Sequence, residues 1–428
     1  MRSPRSDVDR NARFGVVHTI LGQLVVAVSS LAGLRLYTEM LDRSEFGVAM
    51  MAMGGVALLD GAVVMALNQT LLSISAEIDE PERSRQVSVG LSLWAFGAVA
   101  VWLAPLALLT AVAGGVFGLD ALTRAAPALA LAYLGEEIAK TSMLAPLIAR
   151  RDYRRSSLWV ATEAVMSVVG PVLCLRFLAA DTYGFLVGLL AARVVCFVGF
   201  HVAFFQGRYF SDVDLSAAAS FVDRAARYAA PVSAMAPIGW VGAYFDRYAI
   251  GMTCGLAGAG VYSAVSGLVG RPYNVVTSVL TNYFRPLLFH DGAQASRRWL
   301  LAAACIGLAG AAAFALLGDV VARFVLAPEY RHGATGLMLF LAFAQTFVIM
   351  THSADNALLA VGASGALLKM QVRVVFVSLA IVPAFAYFYG PLGAALGRLM
   401  AEAVKFVATR ALLRRQACWP EAAERSPA

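Results

Sequence analysis

The chain has 428 residues, 60% of them hydrophobic and 14% charged, with a mean hydropathy of +0.72 and a formal net charge of +7. Soluble domains carry about 45–50% apolar and about 25% charged residues, so these proportions exclude an ordinary soluble domain and point to an all-α polytopic membrane protein. A spanning helix needs about 20 apolar residues, and this length holds about twelve with short connections.

The N-terminus carries Arg2, Arg5, Arg10 and Arg13 before an apolar stretch from Phe14 to about Tyr37. That stretch is longer than a signal-peptide core and ends in no small-residue cleavage site, so it reads as a first membrane helix that stays attached. Twelve apolar segments follow the chain: 14–38, 46–75, 87–113, 125–149, 157–178, 183–205, 229–250, 258–288, 299–325, 333–361, 369–389 and 391–413. Alternate connections are rich in arginine: Arg83 and Arg85; Arg150, Arg151, Arg154 and Arg155; Arg208, Arg224 and Arg227; Arg297 and Arg298. The connections between them hold only Arg43, Arg124 and Arg331. By the positive-inside rule both termini face the cytoplasm. These dispersed clusters form no single basic face, so the charge gives no nucleic-acid surface.

In the first segment Arg35 lies near the outer end, and Asp60 lies near the middle of the second. A charge inside a membrane costs about 2.5–3.5 kcal/mol on insertion scales, which makes each such residue a candidate for function. Asp60 reads either as a counter-ion to Arg35 or as a protonatable coupling group. Glu136, Glu137 and Lys140 of the fourth segment are spaced to pair with one another. Glu163, Arg176 and Arg193 are further candidates, with a Glu163–Arg193 pair as the packing explanation.

The longest connection, Gln206 to Arg227, divides two sets of six segments, and its latter half reads as an amphipathic helix on the membrane surface. The expected organisation is an N-terminal lobe (1–205), a cytoplasmic linker (206–228), a C-terminal lobe (229–413) and a tail (414–428). A weak repeat supports it. Setting Gly47 against Gly260 brings Arg35 within one residue of Arg247, and Asn68 within one of Thr281 and Asn282. Lobes repeated in this way are typical of alternating-access transporters, with the substrate site between them.

In the seventh segment Ser233, Pro237, Trp240, Tyr244 and Arg247 recur at steps of four and three, which puts them on one helical face. The eighth carries Gly267, Arg271, Asn274, Ser278, Asn282 and Arg285 along a second stripe. Arg285, near an end, can snorkel to lipid phosphates; Arg271, near the middle, needs a cavity or an acid. His352 and Asp355 lie one turn apart in the tenth segment, too few ligands for a metal site. Five cysteines show no paired spacing, and no phosphate-binding Gly-x-x-x-x-Gly-Lys-Ser/Thr occurs, so no cofactor is expected.

Asp246-Arg247-Tyr248-Ala249-Ile250-Gly251 and then Gly260-Val261-Tyr262-Ser263-Ala264, with Pro286 beyond, resemble the seventh and eighth helices of the Wzx-type polysaccharide flippases of the MOP exporter superfamily. Leu41 to Gly47 and the Arg150-Arg151-Asp152-Tyr153 connection extend the similarity over nearly the whole chain. The resemblance implies two six-helix lobes that open alternately to each side of a bacterial inner membrane. It implies an undecaprenyl-pyrophosphate-linked oligosaccharide as substrate, membrane lipids around it and a polysaccharide polymerase as downstream partner. Arg35, Arg247, Arg271, Trp240, Tyr244 and Asn274 would then contact substrate, and Asp60, Glu163, Asp246 and Asp355 would serve as counter-ions or coupling groups. Arginine suits such a substrate, because its planar fork matches pyrophosphate oxygens. Lipid II flippases of the superfamily usually have fourteen spans, and its multidrug exporters often place an acid in the first helix, which here has none. A cation-coupled exporter of the same superfamily is the alternative. A membrane-embedded transferase or polymerase is disfavoured by outer connections of about ten residues or fewer.

Overall fold

A computed structural model describes residues 4–117, 121–150, 152–211 and 213–416. Arg2, Arg151, Cys418 and Arg425 lie outside them, as do the side chains of Arg5, Arg10, Arg13, Arg124, Asn282 and Pro286.

The described residues form twelve helices and no strands. The first six are α1 (Pro4–Met40), α2 (43–77), α3 (Pro81–Phe117), α4 (Ala121–Ala149), α5 (Tyr153–Phe177) and α6 (Thr182–Phe205). A helical stretch Leu215–Val325 is broken at Gly255 (φ 80°) and Gly292 (φ 49°) into α7 (215–254), α8 (256–291) and α9 (293–325). After a short 3-10 turn come α10 (Ala334–Ala360) and a stretch Ser364–Gln416 that breaks at Gly390 (φ 63°) into α11 (364–389) and α12 (391–416). Positive φ is the conformation glycine alone adopts without strain, so these three glycines set the reversals. Eight stretches of the described residues are long and apolar enough to cross a membrane, and two of them, Leu215–Arg285 and Ser364–Gln416, each cover two helices.

Helix ends follow local chemistry. Asp42 Oδ1 accepts from the backbone N–H of Ser44 (2.8 Å) and Glu45 (2.9 Å) and so caps α2. Asp152 and Asp181 cap α5 and α6 in the same manner. Such caps satisfy N–H groups that a helix start leaves open. Two local features were not expected from the apolar pattern. α2 passes through a π turn at Asp60–Val64. The amphipathic segment 215–227 is continuous with α7, and its apolar face is taken up by protein rather than lipid: Ala218 is fully buried in a core with Leu71, Val87, Leu91 and Ile138. Gly90 of α3 makes room for the Ala218 methyl there.

The contacts separate into two compact units. The first comprises Met1–Leu41 and Ala49–Trp240, the second Asp42–Val48 and Val241–Ala428. In the first unit α3 packs along α4, α5 along α6 and α1 along α5, with the latter part of α2 on α4. Tyr37 donates to the carbonyl of Ser167 and meets Phe185 edge-on at 5.0 Å, while Trp159 stacks on Phe200 at 4.8 Å. In the second unit α10 packs against the α11–α12 stretch, and Tyr262, Trp299 and Tyr330 are fully buried. The opening turn of α2 belongs to this unit. Gly47 and Gly260, the two glycines aligned by the sequence repeat, cross there backbone to backbone: a Cβ on Gly260 would run into the carbonyl of Arg43, and one on Gly47 into that of Leu256.

Candidate functional site

The second unit is organised around Asp246, 4% exposed near the end of α7. Its Oδ2 accepts from the Tyr262 hydroxyl of α8 and from Arg398 Nη1 of α12, each at 2.6 Å. Its Oδ1 accepts from the backbone N–H of Arg247 at 2.9 Å, and Arg247 Nη1 lies 3.4 Å away. Two guanidinium groups therefore share one carboxylate. Arg247 also donates to the Ala243 carbonyl (2.6 Å) and to Ser266 Oγ (3.3 Å), and its guanidinium sits 5.0 Å from the centre of the Tyr244 ring. Cation–π contact and carbonyl donation hold the group without neutralising it.

One turn beyond Arg398 on α12 is Glu402, also buried. Arg398 Nε and Glu402 Oε2 are both buried without a hydrogen-bond partner among the described residues. Asp355 of α10, half-buried, has its Oδ1 in the same condition and lies in electrostatic reach of Lys405 and Glu402. His352 precedes it by one turn, and its carbonyl accepts from Asn356. Arg271 is half-buried on α8, and Asn274 on the same helix is exposed.

In the first unit Arg35 forms an ion pair with Glu39, one turn further along α1. The polar stripe of α7 divides. Ser233 Oγ donates to the Ala62 carbonyl, within the π turn of α2, at 2.5 Å, and Trp240 Nε1 donates to the Gly54 carbonyl at 2.6 Å. These two side chains tie α7 to α2, whereas Tyr244 and Arg247 sit in the second unit.

A larger charge network joins α4, α5 and α6. Lys140 Nζ contacts Glu137 at 2.7 Å and Glu163 at 3.0 Å. Arg193 Nε donates to Glu136 at 2.8 Å, its Nη2 lies 3.2 Å from Glu163, and it also pairs with Glu137. Its Nη1 donates to the Tyr133 hydroxyl at 3.0 Å, with the guanidinium 4.4 Å from that ring's centre. Asp60, at the start of the π turn, lies in electrostatic reach of Lys140 and Arg193. Four carboxylates thus face two cations. The Glu163–Arg193 pair and the Glu137–Lys140 pair are parts of one arrangement.

Outside the spanning segments, Glu77 at the end of α2 accepts a two-pronged hydrogen bond from Arg224, one arm at 2.7 Å. That bond holds the Glu77 carboxyl below the usual glutamate range. Burial pushes the Tyr209 hydroxyl, which donates to the Ser142 carbonyl at 2.6 Å, above the usual tyrosine range.

Arg398, Glu402 and Tyr133 were not singled out from sequence, and Tyr262 stood in the Gly260–Ala264 string with no role of its own. Arg398, Glu402 and Lys405 recur at steps of four and three inside the last apolar segment, and intramembrane charge at that spacing was the available signal.

No protein-family model matches the sequence, and no curated protein does either. Solved structures do. The lipid II flippase MurJ in an inward closed conformation is 10% identical, with a TM-score of 0.69 over 94% of this chain and 87% of that one. A multidrug resistance MATE family transporter matches in its inward-facing form at 16% identity (TM-score 0.58, 94% and 96% covered). A multidrug resistance MATE family transporter in an outward-facing conformation matches at 15% identity (TM-score 0.61, 95% and 96% covered). The chain is a polytopic α-helical membrane protein, and its twelve described helices share the fold of these flippase and transporter structures.

Proposed function

We propose that this protein is a flippase that moves an undecaprenyl-pyrophosphate-linked oligosaccharide from the inner to the outer leaflet of a bacterial inner membrane by alternating access. In this reading it is a transporter rather than an enzyme. The six-helix lobes are 1–205 and 229–413, and 206–228 and both termini are cytoplasmic. The observation that carries the proposal is Arg247, whose neighbouring carboxylate already serves Arg398 and Tyr262, so that a positive charge is left for an anionic head group. Arg35, its counterpart in the repeat, supplies a second guanidinium, and Arg271 a third. Tyr244 and Trp240 offer ring faces, and Asn274 an amide, to the sugar. The likeness to the fold of MurJ, a lipid II flippase, supports a substrate of this kind. A bound pyrophosphate lipid can drive the cycle only if the two access states hold it unequally.

Coupling falls to the acids. Four carboxylates against two cations in a low-dielectric lobe favour uptake of a proton or cation, with Asp60 and Glu163 as the groups involved and Asp355 as a separate acid in the second unit. The same carboxylate excess suits a cation-coupled exporter, and one experiment separates the two. Deletion of the gene should leave lipid-linked repeat units in the inner leaflet and deplete surface polysaccharide, while extracts still assemble the lipid-linked unit. Normal surface polysaccharide with increased drug sensitivity would instead identify an exporter, and extracts unable to build the unit would identify an enzyme.

A further inference from the structure

A groove of about 360 Å³ lies in the first unit between α3, α4 and α6, and no charged side chain lines it. Leu93 and Phe96 of α3, Ile138 and Ala139 of α4, Phe197 of α6 and Phe210 of the following loop line it. Leu93 is itself 48% exposed, so the groove is open along its side rather than sealed. Its lining is apolar except for Ser92, which is 4% exposed and whose hydroxyl has no hydrogen-bond partner among the described residues.

The loop that carries Phe210 is firmly held. Phe210 packs against Phe197 and His201, with ring centres 6.0 and 5.4 Å away. The neighbouring Tyr209 is fixed to α4 through the Ser142 carbonyl. Arg85 ties the loop down, donating to the Tyr209 carbonyl and, at 2.9 Å, to that of Ser211. Glu82 is occupied by Arg85, and Asp152 by Arg155 at 3.5 Å. Arg208, two residues before Phe210, and Arg150 are both exposed and have no acidic partner among the described residues, and Arg150 lies close enough to act on Tyr209. A pre-formed apolar groove near two unneutralised guanidinium groups matches a chain attached to a phosphate.

We propose that this groove holds one acyl chain of an anionic phospholipid, with the phosphate at Arg150 and Arg208. The inference stands independently of the transported substrate. It is tested on the full-length chain in mild detergent, by native mass spectrometry and thermal unfolding with phosphatidylglycerol or phosphatidylcholine of identical chains. Wild type should retain phosphatidylglycerol about tenfold better, as two arginines near a lipid phosphate allow. Arg150→Ala/Arg208→Ala should erase that preference. Ala139→Phe, which adds bulk to the lining, should lose both lipids while helical content and gel-filtration volume stay unchanged; Leu93→Trp, at an exposed lining position, serves the same purpose where Ala139→Phe does not fold. Equal retention of the two lipids by wild type overturns the proposal, as does undiminished phosphatidylglycerol binding by a folded groove-filling variant. Displacement of phosphatidylglycerol by equimolar polyprenyl phosphate overturns it too, by giving the groove to a different lipid.

Discussion

Removing the Arg247 side chain leaves Asp246 with Tyr262 and Arg398, both at 2.6 Å, whereas removing the Asp246 charge leaves two guanidinium groups without their shared acid. The two substitutions should therefore fail in different ways. Arg247→Ala should insert and fold at normal abundance and lose complementation of surface polysaccharide. Arg247→Lys should recover part of it, since an ammonium keeps the charge but not the fork. Asp246→Asn should lower abundance and stability, because breaking a buried pair from one side costs about 3–5 kcal/mol. Full complementation by Arg35→Ala/Arg247→Ala at wild-type levels would remove the anion-binding role. A gentler interaction is the fork between Arg224 and Glu77. The Glu77 carboxyl titrates below its unfolded value, so what the pair contributes is present above the unfolded pKa and is lost as pH falls through the lower folded one. Both side chains are half-exposed, so the effect is small and screened by salt. Amide exchange of residues 215–227, corrected for its intrinsic pH dependence, should quicken as pH falls below about 4. Glu77→Gln should show the quicker exchange already at neutral pH, and identical protection in both proteins would argue that the fork orders nothing.

Among elements, the crossing of α2 and α8 makes the plainest demand on sequence. Gly260→Ala would press a methyl into the Arg43 carbonyl, and because that neighbour is backbone the helices must separate. Overpacking of this kind costs about 1–3 kcal/mol. Gly267→Ala on the same helix meets nothing within 4 Å and should stabilise α8 through helix propensity alone. Thermal unfolding of the two variants should move in opposite directions; a neutral Gly260→Ala would mean that the crossing is looser than drawn. The helices themselves were legible, since each apolar window matches one of them to within a residue at its ends or lies inside it, and Gly255, Gly292 and Gly390 occupy the gaps between windows. The π turn at Asp60–Val64 was not, because one extra residue in a turn leaves hydropathy unchanged. Nor was the continuity of 215–227 with α7. An amphipathic face reads alike whether lipid or protein covers it, and only the notch at Gly90 decides. Partner choice was least legible of all: Arg398 and Asp246 are 152 residues apart, and nothing local to either names the other.

At the scale of the whole molecule, the repeat and the contacts divide the chain differently. The repeat runs six helices and six helices. By contact, Asp42–Val48 of the first half lies in the second unit, and the part of α7 up to Trp240 lies in the first. Each half thus lends the other a stretch of helix. Cut between residues 205 and 215, the first half would lose the α7 segment that donates to the Gly54 and Ala62 carbonyls and that carries Ala218 into the core. The second half would lose the Gly47 crossing and the edge contact of Phe46 with Tyr330 at 5.8 Å. Fragments 1–205 and 206–428 should accordingly be degraded when made singly and accumulate when made together, as membrane levels of each would report; stable accumulation of either alone would contradict the loan. In hereditary terms the halves are bound to one another. A split gene would persist only where both pieces were kept, and a half borrowed from a distant relative would arrive without the stretch its new partner must supply.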